Sequence, residues 1–523
     1  MPAIATPRHE HALFGLDTEP PGFDPQRWWN SATYCGTANI FEQLISIDPA
    51  TAELRPQLAM TVPIPTRGGT LYTFPLRRGV HFHDGCELTS TDVKASLERL
   101  TRPQTRAETG ALFASLPIRG MSEVANERSS TLKGVGAPDP YTVTIELDQP
   151  DRALLPLLSY PSAAILSCNQ TDTAVGQLNW FPIGTGPYVM SDATPGVGAT
   201  LRRNRDHWRT QAPIDTIRFE FNVPQAKSVE RIIDGAQDFM YEPLPAAVTQ
   251  QLKADQALTT QIYISEEDCC YFLTLPVAHQ AFGKPAVRRA IGSAVNRATL
   301  VDSVDGLATE ATGGIFSPLN PYHSPGLADN YNPDRAQQLL REAGFVNGIN
   351  VDLLTNNLFP EREISRAVRD ELARVGVRTR ITELRYNDKA AASLETQSSL
   401  TVCDWHLSVP HGSYLVDSGF TRAAIRRGCC NYSNWTSEHL EHLAKRGHTA
   451  KDRTEELETY RAIDRLVVKE EAIWIPLVYS KRVDLVSRRV RGFSQARYPS
   501  ALIKFFADYA LDRHDGRSGH KHT

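Results

Sequence analysis

Residues 72–100 read Y-T-F-P-L-R-R-G-V-H-F-H-D-G-C-E-L-T-S-T-D-V-K-A-S-L-E-R-L. The order of side chains spells a strand, a turn and a helix. Tyr72, Phe74 and Leu76 alternate as one face of a strand, and Val80 and Phe82 resume the alternation. Asp84-Gly85 supplies turn chemistry that ends it. Thr89 then has the form of an N-cap, with Asp92 three residues on as the acid of a capping box, and Val93, Leu97 and Leu100 fall on one helical face.

The same residues closely resemble the signature of the peptide, dipeptide and nickel binding proteins that serve ABC importers, the family 5 extracellular solute-binding proteins. The resemblance is carried by Phe74, Leu76, Arg77, Gly79, Val80, Phe82, His83, Asp84, Gly85, Leu88, Thr89, Asp92, Val93, Ser96, Leu97, Glu98 and Arg99. Further along, Gly184-Thr185-Gly186-Pro187-Tyr188 is similar to the family's G-T-G-P-Y, and Asn204 to Trp208 to its N-x-x-Y-W. Residues 284–317 and Asn332 to Phe345 also resemble family segments, so the likeness spans about residues 13–495.

Length and composition agree with this reading without supplying it. A chain of 523 residues is long enough for two or three cores, since single cores seldom grow beyond about 250–300 residues. The 41% apolar and 22% charged content is that of a globular protein, and a formal charge of −4 gives no reason to expect a nucleic-acid partner. No run reaches the ~20 apolar residues a membrane-spanning helix needs. The start, M-P-A-I-A-T-P-R-H-E-H, lacks the pattern of a secretory signal. The expected location is therefore extracytoplasmic, in the periplasm or at the cell surface, if an export signal has been trimmed, and cytoplasmic otherwise.

Outside the signature, residues 141–147 (Y-T-V-T-I-E-L) alternate as a strand. Asn332, Pro333 and Gly344 read as the cap, first turn and stop of a helix. From Ala472 to Tyr479, an apolar strand contains Pro476, which predicts an edge or ligand-facing position. His81 and His83 could pass for a metal pair at strand spacing, but the family match at His83 favours a structural role. Gly184 to Pro187 reads as a turn, since no G-K-[ST] follows to make a phosphate loop. The polar end, from Asp512 to Thr523, has the composition of a disordered tail.

The resemblance implies an α/β, two-lobed periplasmic-binding-protein-like (type II) fold with an extra subdomain inserted in the first lobe. Lobe I is expected at residues 1–41, 180–264 and 480–523, the insertion at 42–179 and lobe II at 265–479. The chain would cross between lobes near Cys270 to Leu273 and Leu477 to Tyr479. The implied function is that of the substrate-binding component of an ABC importer, a monomer without cofactor that captures a peptide or peptide-like small molecule by hinge closure and presents it to the permease. A cytoplasmic biosynthetic enzyme on the same scaffold, or a nickel or metal-chelate binding protein, is the alternative. No G-x-S-x-G elbow, H-E-x-x-H or comparable catalytic arrangement is present, so no catalytic residue is expected.

The ligand question turns on Cys403 to Tyr414, C-D-W-H-L-S-V-P-H-G-S-Y. Peptide-binding relatives resemble W-x-A-D-Y-P-D-P here, with an aspartate for the peptide's α-ammonium group. Trp405 and Pro410 match, whereas Ser408 and His411 stand where the aspartates would be. An ammonium held by charge-assisted hydrogen bonds needs an anion. Asp417 could take over that contact; His411 could instead donate to an acidic group, ligate a metal chelate, or sit in a solvated loop. Tyr34, Trp405 and Tyr414, together with Trp28 and Trp29, are candidate flat walls of the cleft, each with core packing as the plain alternative. The candidate ligand-binding residues are thus Tyr34, Trp405, His411, Tyr414 and Asp417.

Of eight cysteines, Cys269-Cys270 and Cys429-Cys430 are adjacent pairs. Family members often bridge two places in the larger lobe, which suggests a disulfide between the pairs; buried free thiols are the alternative. With no C-x-x-C pair, a standard zinc site is not expected.

Overall fold

The computed structural model describes the chain apart from residues 1–10, 29–30, 108, 172–177, 210, 243, 245, 257, 428–429, 495–503 and 513–523. Trp29, Cys429 and nearly all of the polar tail lie outside the described residues.

The signature stretch folds as its chemistry dictates in its first and last parts. Leu71–Pro75 is a strand with Tyr72 and Phe74 buried, and Ser90–Thr101 is a helix. The capping box forms: the Thr89 backbone N–H donates to Asp92 Oδ2 at 2.8 Å. The middle differs from expectation. Gly79, with φ 68°, turns the chain, and Val80 to Phe82 run on as irregular backbone held by a single bridge between His81 and Glu87. Val80 and Phe82 are buried all the same, so the alternation marked inward-facing side chains without marking a strand.

Three sheets organise the molecule. One holds five strands in the order Phe239–Met240, His11–Gly15, Thr216–Glu220, Gly198–Arg203, Tyr188–Thr194. A three-stranded antiparallel sheet, with Thr142–Glu146 between Leu71–Pro75 and Val135–Asp139, carries the helix Ser90–Thr101. The largest runs Ala308–Glu310, Trp474–Leu485, Ile262–Thr274, Leu400–His406, Ile349–Asn356, Val377–Leu384. Phe14, Ile217 and Phe239 sit in the core of the first sheet, and Leu273, Val351 and Leu372 in that of the largest.

The two longest strands join these bodies. Ile262–Thr274 and Trp474–Leu485 pair as an antiparallel ladder that breaks register between Glu266 and Cys270. On one side of the break, Val483 and Leu485 pack with Met240 and Leu244 beside the five-stranded sheet. On the other, Leu273 and Leu477 lie in the core of the six-stranded sheet. Pro476 is in this ladder, facing Phe272 at a second irregularity and beyond the reach of the short outer strand Ala308–Glu310. Proline's missing N–H is tolerated where a strand is bulged or locally an edge. The helix Pro333–Glu342 starts on Asn332, whose side chain accepts from the Arg335 N–H, and ends before Gly344 at φ 94°.

The Gly184–Pro187 turn packs against the end of the helix Ser31–Ile40 and is bonded to His83 of the signature stretch. A Cβ on Gly184 would fall 2.0 Å from the Ile40 carbonyl oxygen, so only glycine allows that approach. His83 closes the contact: Gly184 N–H donates to its Nδ1 at 3.3 Å, leaving Nε2–H for the Gly186 carbonyl at 3.0 Å. Burial pushes His83 down to about 4, so the ring is a neutral structural link.

Candidate ligand-binding cleft

Four aromatic rings run in contact from the helix Ser31–Ile40 to the six-stranded sheet. Tyr34, on the helix Ser31–Ile40, meets Tyr160 edge-on at 5.8 Å between centroids. Tyr160 meets Tyr414 at 5.9 Å, and Tyr414 meets Trp405 at 5.8 Å. Such pairs are each worth about 0.5–1.5 kcal/mol beyond area burial. One apolar cluster is therefore continuous across the cleft, with Tyr34, Tyr72 and Tyr160 on one side and Tyr414, Leu415 and Trp474 on the other. The lobes are closed.

Ser408 stands at one of the positions where an acid is expected, and the Tyr414 hydroxyl is hydrogen-bonded both to Ser408 and to Tyr160. Trp405 gets its position from the strand Leu400–His406, opposite Cys270 in register. Trp28 stands apart from these rings. Its Nε1–H donates to Asn179 at 3.3 Å, and the Arg27 guanidinium lies over its face.

Beside the rings, charge takes over. The His448 imidazole bridges two carboxylates: Nδ1 reaches Asp151 at 2.9 Å and Nε2 reaches Asp417 at 2.8 Å. Asp151 belongs to the segment between the three-stranded and five-stranded sheets, and Asp417 and His448 to the side of the six-stranded sheet, so the bridge spans the closed cleft. The two carboxylates hold His448 well above the usual histidine range despite its burial. It is a cation at neutral pH. Next to it the Arg152 N–H donates to the His448 carbonyl at 2.9 Å. Glu456, only 1% exposed, accepts from Arg152, from Arg453 and from the Tyr322 hydroxyl.

His411 lies at the junction of these regions, 1% exposed and packed against Tyr460 and Tyr322. Burial and the neighbouring His448 cation drive it down to about 3. The solvated-loop reading is thereby corrected, as is any role that needs an imidazolium. Ser413 N–H donates to Nδ1, which places the remaining proton on Nε2, 3.7 Å from Glu456 Oε1. His411 remains a neutral donor. Together with Pro410, Arg453, Glu456, Arg152 and Leu155 it lines a cavity of about 690 Å³, a volume suited to a small organic molecule.

Asp417 reaches His448, so its carboxylate serves the interlobe bridge. Tyr160 and His448 were missed in the sequence: Tyr160 in L-L-S-Y-P and His448 in K-R-G-H carry no local mark. Cys269 and Cys270 are unbridged thiols buried in the two opposite cores, which corrects the expected disulfide for this pair. Among the described residues, one group of three metal-ligating side chains comes together, Cys269, Asp404 and His406. His81 and His83 form no such group, and neither does His411. No helix among the described residues is long and apolar enough to cross a membrane.

Residues 53–425 match the family described as bacterial extracellular solute-binding proteins, family 5 Middle. The glutathione-binding protein GsiB of Escherichia coli (strain K12) is 24% identical over 433 residues, which are 81% of this chain and 80% of that protein. Among solved structures, clavulanic acid biosynthesis oligopeptide binding protein 2 superposes with a TM-score of 0.86 at 22% identity, over 97% of this chain and 96% of that one. The Helicobacter pylori periplasmic binding protein DppA, in complex with peptide STSA, gives 0.82 at 21% identity over 96% and 98%. These likenesses show the two-lobed type II fold.

Proposed function

The chain belongs to the family 5 bacterial extracellular solute-binding proteins, and from that premise we propose that it captures a peptide or peptide-like small molecule between its lobes and delivers it unchanged to an ABC permease. The observation that carries this reading is the joint construction of the cleft. Rings from lobe I, the insertion and lobe II, and a cavity walled by the insertion and lobe II, come together only in the closed form, so a ligand that contacts both walls stabilises closure by its differential affinity. A permease can then read lobe orientation.

The names of the relatives support the ligand class: one binds glutathione and another is bound to peptide STSA. Family membership also supports an extracytoplasmic location. We assign lobe I to residues 1–41, 180–264 and 480–523, the insertion to 42–179 and lobe II to 265–479. His411, which lines the cavity, acts as a neutral Nε2–H donor to a ligand oxygen, while Tyr34, Tyr414 and Trp405 close on one another beside it and hold the two sides together. Asp417 joins lobe to lobe through His448, and Ser408 brings no charge, so the amino end of a ligand is held without a carboxylate at the usual place.

Native mass spectrometry of gently purified protein, followed by calorimetric titration with glutathione and with tri- and tetrapeptides, tests the reading. Binding with recovery of intact ligand is expected. Absence of binding across the peptide set, or recovery of a converted molecule, would remove it.

A further inference from the structure

We propose that Cys269, Asp404 and His406 form a binding site for a divalent transition-metal cation with the ligand preferences of zinc, on the sheet face turned away from the cleft. The Sγ, a carboxylate oxygen and a ring nitrogen all lie within 4.8 Å of one another. The ladder makes this geometry. Cys269 is directly opposite His406 in antiparallel register, and Asp404, two residues before His406, points to the same face. Trp405, the residue between them, points to the other face with Cys270, so this site and the ligand cleft share a strand but no side chain.

Distances and chemistry agree. His406 Nε2 is 3.3 Å from Asp404 Oδ2. Two ligands at ~2.0–2.1 Å from a tetrahedral zinc ion are roughly 3.3 Å apart, so this edge of the polyhedron is already set. A thiolate, an imidazole and one carboxylate suit zinc or its cobalt analogue and disfavour magnesium or calcium. The fourth position would fall to water. Cys269 is fully buried, whereas the His406 side chain is 30% exposed and gives the ion a way in.

The surrounding charge favours a cation. The carboxylates of Asp404, Glu267 and Asp268 surround Cys269. The nearby cations are already engaged: Arg482 with Asp484 at 2.8 Å, and Lys389 with Glu361 at 2.6 Å. On binding, the thiol proton and any imidazolium proton pass to solvent. The trio then carries two negative charges, which one dication balances.

The test is a titration of the full chain with Co²⁺ and with Zn²⁺ in the background Cys86→Ser, Cys168→Ser, because those two thiols are exposed. Expected are a thiolate-to-cobalt charge-transfer band that saturates at one equivalent, its displacement by Zn²⁺, and a rise in Tm with added Zn²⁺. Cys269→Ser should abolish the band, and His406→Gln should weaken metal binding at least about tenfold. Circular dichroism checks that each variant is folded, and His406→Gln carries the test if Cys269→Ser does not fold. Absence of the band in the parent, or its persistence unchanged in folded Cys269→Ser or His406→Gln, would overturn the proposal.

Discussion

Two kinds of contact close this molecule, side by side and with different physics. The ring series Tyr34, Tyr160, Tyr414 and Trp405 is dispersion and apolar burial, indifferent to pH and nearly so to salt. The bridge Asp151, His448 and Asp417 is charge held in partial burial, conditional on one proton. The comparison teaches a division of labour: the rings favour closure whatever the pH, and the bridge makes it depend on one proton.

The largest effect should come from breaking the bridge. His448→Ala leaves Asp151 and Asp417 buried without their cation, a loss of about 3–5 kcal/mol when a buried pair loses one partner; denaturant unfolding monitored by fluorescence would measure it. If the loss were no greater than that of an exposed ion pair, the bridge would be incidental. Trp405→Ala comes next, with ligand affinity lowered roughly thirtyfold, or about 2 kcal/mol, and a smaller effect on folding. Calorimetry and thermal melts separate the two. Equal losses would mark Trp405 as core.

A pH series sharpens the contrast. The folded value of His448 lies above its unfolded value near 6.5, so the bridge contributes fully below about pH 6.5 and fades as pH rises through the raised folded value. Interlobe distance by small-angle scattering of the ligand-free protein should increase over that alkaline window. In Asp151→Asn the window should shrink, because one of the two carboxylates that raise His448 is gone. Smallest of all, Tyr414→Phe removes the hydroxyl that links Ser408 and Tyr160 and should cost about 1 kcal/mol of stability with the rings left in place.

What could be read from sequence was whatever is decided within a few residues. The capping box at Thr89 and Asp92 and the asparagine cap at Asn332 are local bargains between a side chain and the next turn, and both form. Val80 to Phe82 shows the limit, because burial on one side looks like a strand whether or not a ladder partner is present. Of the cleft, Tyr34, Trp405 and Tyr414 could be named and do meet in space through Tyr160, a ring with nothing around it in the sequence to distinguish it from core. The fate of Asp417 was unreadable, since it depends on His448, 31 residues away. Cys269 meets His406 by strand register, which no spacing rule encodes.

The break in register between Glu266 and Cys270 gives the molecule its mechanical compliance. Residues 262–266 with 481–485 form one continuous ladder and 270–274 with 474–479 another that carries its own irregularity at Phe272, so bending at the crease between them severs few backbone bonds in either. Each half can tilt as a stiff plate, and the work of opening is spent on peeling apart side chains across the mouth while the spine that carries them keeps its pairing.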